Sequence, residues 1–306
     1  VTVAEAKLNA AGNLELTFDR ASFLETAENL SNTGEVTGQE ATNVQQLAQV
    51  LQQLDAIAAD VPEVAALLNS ISGDPTSFTS LLPDLTGSTI SSAMSASNMS
   101  NGQVSVRARG LASGDTFTKS GIWIQALAAD AEQDERDGIA GYDADTQGFV
   151  LGLDGELNNG SVVGAAYSFT NTESDSETSS SDTDYHMLTG YWGQSYGNVL
   201  VDGQVYYAWG DNSSRRAIGA TADYDSKLYG ARIGTGYQMD LGNDAQFIPT
   251  LSLDYSRLSV DGYTEKGTGA LSIQSEDYDR LELGLAGELN KTYQINDMLV
   301  TPRLTL

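Results

Sequence analysis

The chain has no cysteine and a single histidine among its 306 residues. The first absence removes disulfides, thiolate metal sites and cysteine nucleophiles together. The second leaves Ser-His-Asp or Cys-His chemistry to run through His186 alone. Positive charge is scarce: 15 Lys and Arg stand against 42 Asp and Glu, for a formal net charge of -27. Nothing in such a chain neutralises a phosphate backbone, which argues against nucleic acid as a partner. Long apolar runs are missing too, and no charge-free stretch reaches the roughly 18 residues a transmembrane helix needs. No basic-apolar leader precedes Val1, so the chain reads as starting at a mature or trimmed end. What remains, with 31 Gly, 14 Tyr and 5 Pro, is a β-rich composition.

From Phe149 onward an apolar residue returns at every second position, with Gly, Asp, Glu, Arg, Thr and Ser between. Leu281 to Leu289, Val199 to Trp209 and Phe247 to Tyr255 are the clearest copies. A strand turns successive side chains to opposite faces, so this pattern calls for an apolar solvent on one side and a polar space on the other. That is the pattern of a membrane-spanning β-barrel. Beyond Ser120 the alternation predicts about nine strands, with hairpins across Asn158-Asn159-Gly160 and Ser195-Tyr196-Gly197. Short turns follow Leu157, Gln194, Asp240 and Leu289. Longer acidic segments follow Ala129, Thr170, Trp209 and Leu258, an asymmetry that a sandwich has no reason to show. The acidic runs Asp130 to Asp137 and Thr172 to Asp184 read as solvated loops, with calcium or cations bridging to lipopolysaccharide as the alternative.

One assignment of faces satisfies every strand tested. With Val199, Val201, Val205, Tyr207 and Trp209 toward lipid, Asp202 and Gln204 point inward. The same rule places Asp154, Glu156, Arg232, Asp254, Glu282 and Glu288 on the inner wall. A charge on the lipid face near the midplane costs a few kcal/mol, so this separation is physically required. Trp123, Tyr167, Tyr191, Trp209, Tyr237 and Tyr255 read as interfacial girdle residues. His186 is placed on the inward register, as a hydrogen-bonding residue. Asp154 and Glu156 read as wall charges rather than as an acid and base pair. Pro249 and Pro302, inside strands, suggest a bulge or a strand start. No catalytic, cofactor or metal site emerges.

Before Gly110 the pattern changes. Asn13 to Arg20 alternates like a short strand, and Leu47, Val50, Leu51, Leu54 and Ile57 return at helical spacing over roughly 41–59. Asp60 before Val61-Pro62 opens a second helix with Val64, Leu67, Leu68 and Ile71 on one face, and Gly73-Asp74-Pro75 ends it. From Leu85 to Arg109 the residues become small and polar. They fit either a flexible linker or a thin helix in a narrow polar channel, where Arg107 and Arg109 would meet an acidic wall.

Taken in order, several segments resemble one known family. Asn13 to Arg20 is similar to the last rung of a passenger β-helix. Ala41-Thr42-Asn43, Leu47-Ala48, Leu54, Leu67 to Ser72 and Leu85-Thr86-Gly87 resemble a junction motif. Gly121 to Gln125 and Gln147-Gly148-Phe149 with Leu151 to Asp154 look like the first two barrel strands. Ile248-Pro249 and Thr301 to Leu304 look like its proline-containing later strands. The family is that of the classical, monomeric type V autotransporters of Gram-negative bacteria. The resemblance implies an all-β, transmembrane, antiparallel up-and-down barrel with an N-terminal helical segment partly inside the lumen. It divides the chain into the end of a passenger (1–40), a helical junction (41–84), a lumenal helix and linker (85–119) and the translocator barrel (120–306).

Functionally the resemblance implies an outer-membrane pore that exports its own N-terminal passenger, anchors it at the cell surface and is then plugged by the linker helix. Ser91, Ser95, Arg107 and Arg109 would lie on that helix, and Asn98 and Asn101 are its candidate cleavage positions. Implied partners are outer-membrane lipid and lipopolysaccharide, the passenger, the barrel assembly machinery and periplasmic chaperones. No enzyme activity and no cofactor are implied. A surface adhesin or structural anchor, and a porin-like barrel unrelated to secretion, are the alternative functions. The family barrel closes with about twelve strands, so about three more are expected beyond the nine or from another chain, because open edges in lipid cost several kcal/mol per unpaired group.

Overall fold

A computed structural model of the chain describes residues 2–8, 14–19, 22–34, 38–55, 68, 87–112, 121–134, 141–217, 219–243, 245–267, 270–295, 298–300 and 302–305. The chain opens with an antiparallel pair, β1 (Thr2–Leu8) and β2 (Leu14–Asp19). Two helices follow, α1 (Phe23–Thr33) and α2 (Gly38–Asp55). Phe23, Ala27 and Leu30 make a stripe on α1 that buries against Val44, Ala48 and Leu51 of α2, with Leu68 added to the same core. Gly34 ends α1 in the left-handed conformation (φ 78°) and donates its N–H to the Leu30 carbonyl. A polar spacer stands in this place in the sequence reading, because the α1 stripe is only three residues long. The predicted second helix over 60–72 lies outside the described residues except for Leu68.

The helix α3 (Ser88–Ala112) comes next, and then the large sheet. Its strands are β3 (Ile122–Gln133), β4 (Tyr142–Glu156), β5 (Val162–Ser176), β6 (Ser179–Tyr196), β7 (Val199–Arg216) and β8 (Thr221–Tyr237), followed by β9 (Met239–Gly242) and β10 (Ala245–Val260). A small pair, β11 (Tyr263–Thr264) with β12 (Ser272–Ile273), precedes β13 (Glu276–Lys291). The chain then forms the pair β14 (Tyr293–Ile295) and β15 (Met298–Val300), and β16 (Arg303–Thr305). The long path of the sheet runs β16-β13-β10-β8-β7-β6-β5-β4-β3, and β9 pairs with β10. It is an antiparallel meander of nine strands, curled about α3. Among the described residues β3 pairs only with β4 and β16 only with β13, so both are edges. The last predicted strand, from Met298 to the end, is divided between β15 and β16.

Residues 130–133 and 172–184 of the acidic runs are not in long loops, and 135–137 of the first run fall outside the described residues. Thr172 to Asp184 is a continuous ladder of β5 and β6 that turns at Glu177-Thr178, and Asp130 lies within β3. Along this stretch Thr172, Ser174, Ser181 and Thr183 are buried while Glu173 and Asp175 face out. The period of two continues, but with hydroxyls inside and carboxylates outside, so a reading tuned to apolar residues misses it. On the outer face Phe149, Phe169, His186 and Trp209 stand opposite one another across four strands. One step along the same strands the row becomes Gln147, Asn171, Asp184 and Asp211. Like charges side by side on a sheet repel, so this upper band needs water and counterions, whereas the aromatic row marks where the apolar belt ends.

Pro249 breaks neither ladder. It opposes Gly287 of β13, and on its other side β10 has left β9 at Phe247 and reaches β8 only at Thr250. The missing donor thus falls where no partner strand needs it.

Candidate functional site

The convex face of the sheet exposes large apolar residues, among them Leu151, Leu153, Leu188, Val205, Ile233, Leu251, Leu253, Leu281 and Leu285. So much contiguous apolar surface calls for a hydrocarbon solvent. The concave face carries the polar set, and α3 lies on it against β3 to β8, chiefly β6. An unusual helix results. Ala93, Ala96, Val104 and Ala108 are buried along with Ser92, Ser97, Ser100, Asn101 and Ser105, so the helix is enclosed on several sides rather than amphipathic. Small side chains permit this close approach. A Cβ at Gly193 would come within 2.5 Å of the Ala108 carbonyl oxygen, so β6 needs glycine where the helix touches it. A cavity in the seam, lined by Ser100, Ser168, Thr170 and Tyr185, has a volume of about 10 Å³. It is at the lower limit for one water molecule.

Two ion pairs fix the C-terminal end of α3. Arg107 donates to both oxygens of Asp154 on β4, at 2.8 and 3.0 Å. Asp154 also accepts from the Gly121 N–H at 3.0 Å and the Tyr191 hydroxyl at 2.7 Å, and Tyr191 accepts from Trp123 Nε1 at 3.0 Å. Arg109 donates to Asp202 on β7 at 2.8 Å, and the other carboxylate oxygen takes Ser105 Oγ at 2.7 Å. Gln204, next inward on β7, donates to the Asn101 carbonyl at 3.0 Å and to Ser105 Oγ at 2.6 Å. Charge-assisted bonds of this kind are the strong ones, and Arg107 makes the bidentate form.

The remaining wall residues are distributed farther round. Arg232 donates to Ser252 at 3.1 Å, Asp254 accepts from the Tyr206 hydroxyl at 2.7 Å, and Glu282 pairs with Arg280. Glu288 is buried and lies 3.7 Å from Arg303, while Glu156 keeps the inner register at the exposed end of β4. On the helix, Ser91 accepts from the Tyr142 hydroxyl and Ser95 lies against Met99. Asn101 is fully buried and Asn98 half-buried. Among the described residues no group of three or more His, Cys, Asp or Glu could hold a metal ion.

Three aromatic assignments need correction. Trp123 and Tyr191 belong to the inner network, not to an outer girdle. His186 is on the outer face, where it stacks on Trp209 (centroids 5.6 Å apart) and its Nδ1 lies 2.7 Å from the Tyr167 hydroxyl. The strand around His186 has apolar residues on both faces, Tyr185 and Met187 within and Leu188 and Trp192 without. Its alternation therefore could not assign a side. Ser105 was missed because its partners, Asp202 and Gln204, lie on β7, far along the chain from the helix, and the inward turn of Tyr191 was missed because its partners Asp154 and Trp123 are on other strands; Gly193 could have been found as a glycine inside a strand.

Residues 122–306 match the autotransporter beta-domain family. The chain belongs to that family. This autotransporter domain is 26% identical to outer membrane protein A of Rickettsia conorii over 97% of its own length and 15% of that protein's. It is 28% identical to outer membrane protein B of Rickettsia prowazekii, over 72% of this chain and 15% of the other. The chain thus spans less than a sixth of the length of these relatives. Among solved structures, the translocator domain of autotransporter NalP from Neisseria meningitidis has the same fold. There the TM-score is 0.52 at 16% identity, covering 67% of this chain and 77% of that one. The domain is an autotransporter translocator of the Gram-negative outer membrane, in a family of transporters and anchors.

Proposed function

We propose that this translocator passes its own N-terminal passenger to the cell surface, and that α3 then stays in the lumen as a plug and tether. The observation that carries the reading is the double ion pairing of α3 to the concave wall, Arg107 with Asp154 and Arg109 with Asp202, in a helix of small residues. Such a helix is thin enough to share the pore, and its two arginines fix its depth. In this reading the acidic end of the sheet is outside the cell and the end with Arg107 and Arg109 faces the periplasm. The α1 and α2 unit, with a core of its own, lies on the exported side.

The passenger, lipopolysaccharide, the barrel assembly machinery and periplasmic chaperones are the partners this function requires. Deleting residues 88–112 from the full-length protein tests the plug: the expected result in planar bilayers is a steadily open pore where the native protein is closed. Equal conductance of the two would sink the plug. If the passenger is released by cleavage in the lumen, Asn101 is the favoured position, since its carbonyl accepts from Gln204 and the residue is fully buried. Asn101→Gln should then leave the passenger attached, and Asn98→Gln should not.

A further inference from the structure

The other end of α3 is held by a different set of groups, none of them part of the ion-paired site. Beyond Val260 the chain continues along β8: the Asp261 N–H donates to the Asp225 carbonyl at 2.9 Å, and Lys266 and Thr221 exchange two backbone hydrogen bonds. This path brings Glu265 to Arg216 at the tip of β7, in a bidentate pair with contacts of 2.8 and 2.6 Å. The two side chains are only 6% and 3% exposed. Glu265 also accepts from the Leu271 N–H at 2.8 Å, which closes the small loop carrying β11 and β12. Gly267, at φ 107°, passes so near Gly219 that a Cβ would meet the Gly219 oxygen at 2.9 Å. The loop is therefore seated on the β7–β8 turn by charge, backbone pairing and close contact together.

Two residues from Glu265, Tyr263 stacks on Tyr224 of β8, with ring centroids 4.2 Å apart and planes 12° from parallel. The Tyr224 hydroxyl is 2.6 Å from Thr89 Oγ1 in the first turn of α3. Across the mouth the Tyr142 hydroxyl of β4 donates to Ser91 Oγ. Phenol rings on opposite sides of a helix, each meeting a short hydroxyl side chain, form a grip that fits Ser or Thr and leaves no room for bulk.

We propose that Tyr142, Tyr224 and Tyr263 form a collar at the outer mouth that binds the first turn of α3, and that the Arg216–Glu265 pair locks this collar in place. The proposal rests on the plug reading and adds to it a second point of attachment, specific for hydroxyl residues at positions 89 and 91. A buried ion pair adds little net stability but fixes geometry, and that suits a lock. The collar makes the exit tight around the emerging chain, while the arginines set its depth.

The test uses the full-length protein in planar bilayers and in hydrogen exchange. Tyr263→Ala and Glu265→Gln should raise deuterium uptake over residues 88–94 and leave residues 104–110 as in the native protein. Each should increase channel opening about fivefold, as expected for about one net hydrogen bond. Tyr224→Phe keeps the ring stack and loses only the hydroxyl, so it gives the same readout even if the loop variants do not fold. Folded variants with native uptake over 88–94 and native closure would overturn the collar while leaving the plug intact. A native protein that conducts like the chain lacking α3 would overturn both.

Discussion

Arg107 and Arg109 are two positions apart on a helix, so they point in different directions, and each finds a carboxylate on a different strand. Asp202 is 1% exposed, with Ser105 as its other partner. Arg109→Ala would leave that charge buried with only a hydroxyl, which costs about 3–5 kcal/mol. Urea unfolding of the domain in detergent micelles should show this loss, and Arg109→Ala combined with Asp202→Ala should recover a large part of it. An unchanged midpoint for the single variant would mean that water already solvates Asp202. At this scale the sequence shows which residues carry charge and which face each takes. The partners were not legible, because Arg107 is 47 positions from Asp154 and Arg109 is 93 from Asp202. His186 lies where both faces of the strand are apolar, and there the register has no sign.

Strands were the most readable elements, since lipid outside and polar space inside impose opposite demands on neighbouring residues. Leu253, which faces outward between Ile233 of β8 and Leu283 of β13, tests the demand directly. Leu253→Arg should cost about 2–4 kcal/mol if the residue lies near the midplane, read as a lower unfolding midpoint in lipid vesicles. Ser252→Arg, one position away on the inner face, should cost less; equal losses would contradict the assignment of faces. The strands proved longer than their apolar parts. Only backbone pairing extends β5 and β6 past the belt, and there the outer residues are carboxylates. For α3 the composition left both a linker and a helix open, since Ser and Ala without a stripe fit both. Enclosure by the curled sheet resolves that choice: a helix with buried residues on several faces needs no stripe.

At the scale of the whole chain, the α1 and α2 core is separate in sequence and in composition from the two clusters that α3 makes with the sheet among the described residues. Leu51 is buried in the α1 and α2 core, among Phe23, Leu30 and Val44. Leu51→Ala should destabilise that unit by about 2–5 kcal/mol, seen as earlier proteolysis of the N-terminal part, while the barrel keeps its heat-modifiable migration on gels. Loss of both together would show that the two are one cooperative unit.

The sequence by itself determined that this is a membrane β-barrel with an inner polar wall, because a two-residue period is enforced locally by solvent on each face. It also marked off the small-residue segment and excluded cysteine chemistry. Only the tertiary structure decided which wall residues meet that segment, which aromatics turn inward, and how far the ladders rise above the lipid. Those outcomes depend on the curl of the sheet and on contacts between residues dozens of positions apart, which a local period does not encode.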